Sequence, residues 1–252
     1  MGQGAAKPLP VPGTPLKQAI AELKARAGAG EAAAASRLFE DLKTCEESWR
    51  IEHIYGKPTK AANPAVTLAQ QRLSFAQANA ALCAGVGEAE FSEIVPTTLL
   101  AAGLGDQRAI DCYVARGFLG SGLMTGVLTH PVWLSDYKKN VVELAEVAVR
   151  KGDWNVVRRL QQAYSGKTPG FDINLLNEAT GTDPVQAYRY LKLQQLGSND
   201  PNGETAQKLA DAASAIGPED QRKAHAWAEQ TYQHYFHTAM ERTAPDVMTC
   251  GI

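Results

Sequence analysis

Three glycine–acid pairs separate helical patterns along this sequence. They are Gly30-Glu31, Gly105-Asp106 and Gly152-Asp153, and each one follows an amphipathic run and precedes another. Glycine readily adopts the left-handed backbone conformation that ends a helix, and an acidic side chain stabilises the positive N-terminal end of the next helix. A chain in which helices end and begin at these pairs is expected to fold as consecutive helical hairpins.

Two apolar positions recur at fixed distances after these pairs. In chain order they are Ala35, Ile110 and Val157 for the first position, and Leu38, Tyr113 and Leu160 for the second. Matching inward positions in successive hairpins indicate stacked repeats. The pairs are unevenly spaced, so the repeat is degenerate or carries insertions. Chance is the alternative, because any helical hairpin favours glycine followed by an acid.

Apolar residues keep the helical period through most of the chain, and no two-residue alternation with turn signals accompanies them. We expect Thr14 to cap a first helix, and a third helix to run from Pro64 past Leu82 to a stop at Gly85. Asp183-Pro184 is typical of a helix cap followed by a first-turn proline. The predicted fold class is all-α, a right-handed superhelix of stacked antiparallel helix hairpins (an α-solenoid).

The predicted organisation has three parts. Residues 1–15 form a flexible leader rich in proline and glycine, residues 16–242 form the helical-repeat domain, and residues 243–252 form a tail pinned by Cys250. The leader lacks the basic start and apolar stretch of a secretory signal. We therefore interpret it as a tether that remains after removal of a signal peptide or lipid anchor.

Composition excludes several classes of protein. With 44% hydrophobic and 21% charged residues, the chain is too apolar to be disordered. A net charge of −2 gives no broad attraction to nucleic acid or anionic membranes, so no nucleic-acid partner is expected. No run approaches the ~20 apolar residues that cross a bilayer, so no transmembrane segment is expected.

Four cysteines bear on the compartment. None forms a C-x-x-C pair, which argues against a zinc ribbon or a thioredoxin-type site. An even count that includes one cysteine on a loose tail favours two disulfides in an oxidising space. Of the three possible connectivities, we favour Cys45–Cys83 and Cys112–Cys250. Four buried thiols in a cytosolic protein are the alternative.

Two segments, AAGLGDQRAIDCYVARGFLGSG and AVRKGDWNVVRRLQQAYSG, resemble SEL-one-like repeats, which are relatives of the tetratricopeptide repeat. Tyr164 and Gly166 match the aromatic residue and glycine that end a helix in that family, whereas Gly117 departs from its pattern. The stretch that begins at Asp183 is similar to the closing helices of such proteins in bacteria. The resemblance implies a helical solenoid that binds other proteins, often outside the bacterial cytoplasm.

The stretch from Phe118 to Asp136 is predicted to be a long glycine-rich loop with many apolar side chains. Apolar loops are either packed into the core or form a contact surface. Together with the nearby aromatic residues it gives five candidates for partner binding: Leu123, Met124, Trp133, Tyr137 and Trp154. Core packing is the open alternative for each of them.

A search for catalytic motifs gives only one weak candidate. Glu47-Ser48 and Gly122-Leu123-Met124 are similar to the Glu-Ser and Gly-Leu-Met boxes of lytic transglycosylases, in which one glutamate is the general acid. In that family the boxes lie close together, and here they are far apart. His234 and His237 have a spacing that suits a metal, but lack the acid of H-E-x-x-H. We predict no catalytic residue, no metal and no cofactor.

These observations favour a non-catalytic protein–protein interaction module whose partner is another protein. We place it in the periplasm or at the outer face of a bacterial envelope, as an adaptor or immunity-type protein. A cell-wall glycan-cleaving enzyme that uses Glu47 is the first alternative, and a cytosolic scaffold is the second.

Overall fold

The computed structural model describes residues 8–55, 64–116, 130–166, 175–198 and 203–236. Within these ranges all regular structure is helical and no strand occurs, which confirms the all-α prediction. Contacts between Cα atoms divide the chain into two compact units. Of the described residues, unit 1 holds those from 8 to 109, and unit 2 holds 110–116 and those from 130 to 236. A single domain over 16–242 and superhelical stacking stay predictions.

Unit 1 is organised around its longest helix. Its helices are α1 (Leu16–Gly28), α2 (Ala32–Tyr55), α3 (Pro64–Ala78), α4 (Glu88–Phe91), α5 (Ile94–Gly103) and the start of α6 (Gln107–Arg116). Helix α2 packs against α1, α3, α4 and α5. Leu38, Leu42 and Cys45, which are spaced by four and three along α2, are all buried, so α2 contributes the centre of the core of this unit.

Unit 2 is organised around α10. After the end of α6, its helices are α7 (Pro131–Val149), α8 (Trp154–Tyr164), α9 (Leu175–Thr180), α10 (Pro184–Gly197), α11 (Glu204–Ala213) and α12 (Pro218–Tyr235). Helix α10 packs against α8, α11 and α12, while α7 packs against α8 and α9. Tyr190 and Leu193 of α10 are fully buried at the centre of this arrangement.

The three glycine–acid pairs form the same backbone turn. Gly30, Gly105 and Gly152 have φ values of +88°, +95° and +79°. In each pair the acid's N–H donates to the carbonyl five residues earlier, and the glycine's N–H donates to the carbonyl three residues earlier. This is the Schellman arrangement, which satisfies the last carbonyls of a helix. The six apolar residues aligned after the pairs are at most 1% exposed. The similarity in sequence therefore corresponds to a shared local structure.

The acidic residues at these turns act in two ways. The Asp106 carboxylate accepts the N–H of Ala109 at 2.8 Å, and Asp153 accepts the N–H of Asn155 at 2.9 Å, so both cap the following helix. Glu31 instead accepts two hydrogen bonds of 2.6 Å from the Arg26 guanidinium. These bonds lower the pKa of the Glu31 carboxyl. The first turn is thus held by an ion pair with the preceding helix rather than by a side-chain cap.

Three details of the predicted helices are wrong. The Thr14 hydroxyl donates to the Val11 carbonyl at 2.7 Å, so it closes a turn and does not cap α1. Helix α3 ends at Ala78, well before Gly85, and the side-chain amide of the next residue, Asn79, donates to the Phe75 carbonyl. The final part of the predicted loop is helical, because Pro131 occupies the first turn of α7.

The disulfide between Cys45 and Cys83 is confirmed, with the two Cα atoms 5.1 Å apart. It joins α2 to the segment that follows α3. In that segment the Leu82 carbonyl accepts the N–H of Leu16, the first residue of α1, at 2.8 Å. The disulfide and this hydrogen bond together connect α1, α2 and the segment that follows α3. Cys250 lies outside the described residues, and its predicted bond to Cys112 stays a prediction.

We expect the Cys45→Ala/Cys83→Ala double variant to lose about 3–4 kcal/mol of unfolding free energy, because the crosslink restricts the unfolded chain. Urea unfolding of the oxidised proteins measures the difference. The wild type under reducing conditions is the control and should lose at least as much stability. Coincident urea midpoints for the variant and the oxidised wild type would contradict this account.

Candidate functional site

The structure places two of the five candidate contact residues in the interior of unit 2. Tyr137 is 0% exposed and its hydroxyl donates to the Val114 carbonyl at 3.1 Å, while Trp133 is 9% exposed. Burial raises the pKa of the Tyr137 phenol. Both side chains lie on the inward face of α7, so core packing replaces the contact interpretation for them. Leu123 and Met124 lie outside the described residues.

The fifth candidate, Trp154, is partly buried and packs between helices. Its ring centroid lies 4.2 Å from that of Phe236. On α10 it meets Gly197, where an added Cβ would overlap the indole carbons Cζ2 and Cη2. Trp154 therefore fixes the packing of α8 against the end of α10. Its role in partner binding stays a prediction.

An open groove lies between α7 and α12 in unit 2, with a volume of about 330 Å³. Residues spaced by three or four share the face of each helix that lines it. They are Glu146 and Val149 of α7 with the C-cap residue Arg150, and Trp227, Gln230, Thr231, His234 and Tyr235 of α12. Val149 and Thr231 are buried and form the floor, whereas Tyr235 is 39% exposed at the rim. We take this groove as the candidate functional site.

The third glycine–acid turn lies at one end of this groove. A Cβ at Gly152 would lie 2.6 Å from the Tyr235 carbonyl oxygen. Glycine is therefore required at this position for two reasons. It adopts the positive φ without strain, and it leaves room for the close approach of the α7–α8 turn to the end of α12. That contact fixes how near the two walls of the groove come to one another.

A partly buried hydrogen-bond network holds Glu146 in the groove wall. The Tyr190 hydroxyl donates to Glu146 Oε1 at 2.5 Å, and Arg189 Nη2 donates to the same oxygen at 3.1 Å. Burial raises the pKa of Tyr190, so its phenol stays protonated and serves as the donor. The negative charge of Glu146 is thus balanced by α10 and is not available in full to a ligand.

The same arginine orients the aromatic wall. The Arg189 guanidinium carbon lies 4.3 Å from the centroid of a Trp227 ring. The Tyr190 ring meets Trp227 edge-on, with centroids 5.2 Å apart and planes at 77°. Cation–π and edge-to-face contacts of this kind favour one ring orientation. Trp227 is consequently held in place before any ligand arrives.

Arg150 and His234 complete the polar rim. The Arg150 guanidinium is exposed and makes no hydrogen bond or ion pair with the residues that the structure describes. His234 Nδ1 donates to the Gln230 carbonyl at 2.8 Å, which leaves Nε2 for another partner. The uncompensated charge at the groove is therefore positive.

Glu47, the candidate general acid, is part of an ion pair in α2. It is 7% exposed, and both of its carboxylate oxygens accept hydrogen bonds from Arg50 at 2.6 to 3.0 Å. Asp41 with Arg37, and Glu46 with Lys43, form similar pairs along this helix. A general acid must carry a proton to give away. The surroundings of Glu47 are instead typical of a structural ion pair.

The described ranges can be compared with what a metal site and a membrane-spanning helix require. There, no group of three or more histidine, cysteine, aspartate or glutamate side chains comes together to hold a metal ion. His237 lies outside those ranges. None of the described helices has the length and apolar character needed to cross a bilayer.

The sequence gives no prediction of a binding role for most of the residues that line the groove. Trp227, Glu146, Arg150 and Arg189 are not among the candidate residues that the sequence gives. The available signal was the Glu146–Arg150 spacing of four beside the buried Val149, which puts opposite charges at the edge of an apolar face. The engagement of Glu146 with Arg189 and Tyr190 depends on helix pairing, which the sequence does not specify.

A scan against protein-family models, a search of curated proteins and a search of solved structures each found no match for this chain.

We expect Gly197→Ala to destabilise the protein by about 1–3 kcal/mol, because the new methyl group overlaps the Trp154 indole. Gly28→Ala is the matched control, since Gly28 also ends a helix but has no atom within 4 Å of the added Cβ. The control should be neutral or slightly stabilising. Thermal unfolding measures both variants, and equal melting temperatures would contradict the packing role of Gly197.

The protonation of His225 is expected to make the stability of unit 2 depend on pH. His225 Nε2 lies 2.7 Å from the hydroxyl of Tyr188, whose ring is buried in an apolar cluster of unit 2. Burial lowers the pKa of His225 from its usual 6.5; Lys192 adds to this effect and Glu229 opposes it. The folded state therefore favours the neutral imidazole. This contribution is complete above pH 6.5 and is lost as the pH falls through the folded-state pKa.

The wild type should accordingly lose more stability between pH 7.5 and pH 5 than His225→Gln, which has no imidazole to protonate. Urea unfolding of both proteins at the two pH values gives the comparison. His234→Gln is the control, because His234 is exposed, and it should keep the pH dependence of the wild type. Identical pH dependence of the wild type and His225→Gln would show that His225 does not contribute.

Proposed function

We propose that this chain is a non-catalytic protein-binding module and that the groove between α7 and α12 is its contact site. The observation that carries the proposal is the make-up of the groove: a buried floor, an aromatic wall held by Arg189, and at the rim Arg150, whose guanidinium has no ion-pair partner among the described residues. Oriented aromatic residues and arginine are the residues enriched in binding hot spots. A preformed wall also lowers the entropy cost of binding.

The repeated turns support an interaction scaffold. Three turns with one geometry, each followed by apolar residues at the same buried positions, are what stacked helical hairpins require. We propose that the hairpins continue as the right-handed superhelix of the SEL-one-like proteins that the sequence resembles. Surfaces between such hairpins commonly bind other polypeptides.

The Cys45–Cys83 disulfide supports a place outside the cytoplasm, where thiols are not kept reduced. We propose the periplasm or the outer face of a bacterial envelope, with an adaptor or immunity-type role. The bidentate pairing of Glu47 with Arg50 is why we favour binding over glycan cleavage.

Site-specific photocrosslinking tests the contact site. A photoreactive phenylalanine at Gln230, in the groove, should give a discrete adduct in envelope extracts from cells that make the protein naturally. The same residue at the exposed Lys208 of α11 is the matched control and should give none. An excess of unmodified protein should compete the adduct away. No adduct at position 230, or equal adducts at both positions, would refute this assignment.

A further inference from the structure

We infer that the α7–α12 groove selects an acidic segment of its partner, in which a carboxylate lies next to an apolar side chain. The carboxylate would pair with Arg150, and the apolar group would pack on Trp227 and Tyr235. This inference rests on the proposed function and names the chemistry of the partner. Its basis is the charge balance of the groove and the position of its aromatic rings.

The charges that line the groove do not cancel. Glu146 Oε1 already accepts hydrogen bonds from Tyr190 and Arg189, so its charge is balanced from behind the wall. Arg150 is the C-cap residue of α7, four residues after Glu146, and its guanidinium has no partner among the described residues. A guanidinium binds a carboxylate through two parallel hydrogen bonds, which gives the ligand a defined orientation. An anionic group is therefore the complementary ligand.

The apolar part of the ligand follows from the rest of the groove. Trp227 is held by the Arg189 guanidinium and the Tyr190 ring, while Tyr235 is 39% exposed at the rim. The volume of about 330 Å³ lies at the lower end of the range for small-ligand pockets. It suits one apolar side chain and a neighbouring carboxylate rather than a long stretch of polypeptide.

A basic segment fits less well. Its cation would face Arg150 and would have to compete with Arg189 for Glu146. A bare anion such as phosphate would satisfy Arg150 but would leave the aromatic wall uncovered. The arrangement thus favours a ligand that offers both a carboxylate and an apolar group.

Matched small ligands test this inference on the full chain. N-acetyl-phenylalanine carries a carboxylate beside an aromatic ring, and N-acetyl-phenylalaninamide has the same ring without the charge. In NMR titrations that follow the indole N–H of Trp227, assigned with Trp227→Phe, the acid should bind about fivefold more tightly than the amide, the discrimination that an exposed ion pair supplies. Inorganic phosphate should bind more weakly than the acid.

Arg150→Gln should remove the preference for the acid while leaving the weak binding of the amide. Lys139→Gln is the matched control, because Lys139 is an exposed cation on the same helix outside the groove, and it should keep the preference. Urea unfolding of both variants checks that they are folded.

Three results would overturn the inference: equal affinity for acid and amide, no saturable shift with the acid, or a preference that survives Arg150→Gln. Any of these together with a positive crosslink at position 230 would leave the binding function standing and refute only the acidic partner. Loss of the crosslink would refute the proposed function itself.

Discussion

The end of a helix leaves carbonyl groups without partners, and the way this chain satisfies them determines much of its structure. At three positions a glycine with positive φ lets the chain turn back on the last helical turn, so that two N–H groups reach those carbonyls. The next helix can then begin at once, with its apolar residues in the core. At Gly152 the same turn also meets the end of α12. The turn that ends α7 therefore also sets the distance between α7 and α12 at this end of the groove.

Balanced charges are the second constraint on the groove. The Glu146 carboxylate and the Arg189 guanidinium are both partly buried beside Trp227, where an uncompensated charge would be costly. Glu146 accepts hydrogen bonds there from Arg189 Nη2 and from the Tyr190 phenol, so its charge is compensated. Because the negative charge of Glu146 is paired within this network, Arg150 is the charged group that faces solvent, and it makes the rim positive.

Local rules predicted the local structure well. The caps at Asp106, Asp153 and Asp183, the inward faces of most helices and the Cys45–Cys83 pair could all be read from residue type and spacing. The end of α3 was missed because apolar residues keep the helical spacing as far as Leu82, beyond Ala78 where the helix ends. The groove was missed because its parts are distant in sequence, with Tyr190 and Glu146 separated by 44 residues. Periodicity shows that a face is buried, but not which helix covers it.

The contact between Trp154 and Gly197 has a consequence for the evolution of this protein. The indole occupies the space that any side chain at position 197 would need, so the two positions share one fixed volume. A larger residue on α10 can be accommodated only when the ring on α8 becomes smaller. Among sequences descended from a common ancestor with this chain, positions 154 and 197 are therefore expected to change together, as a compensating pair.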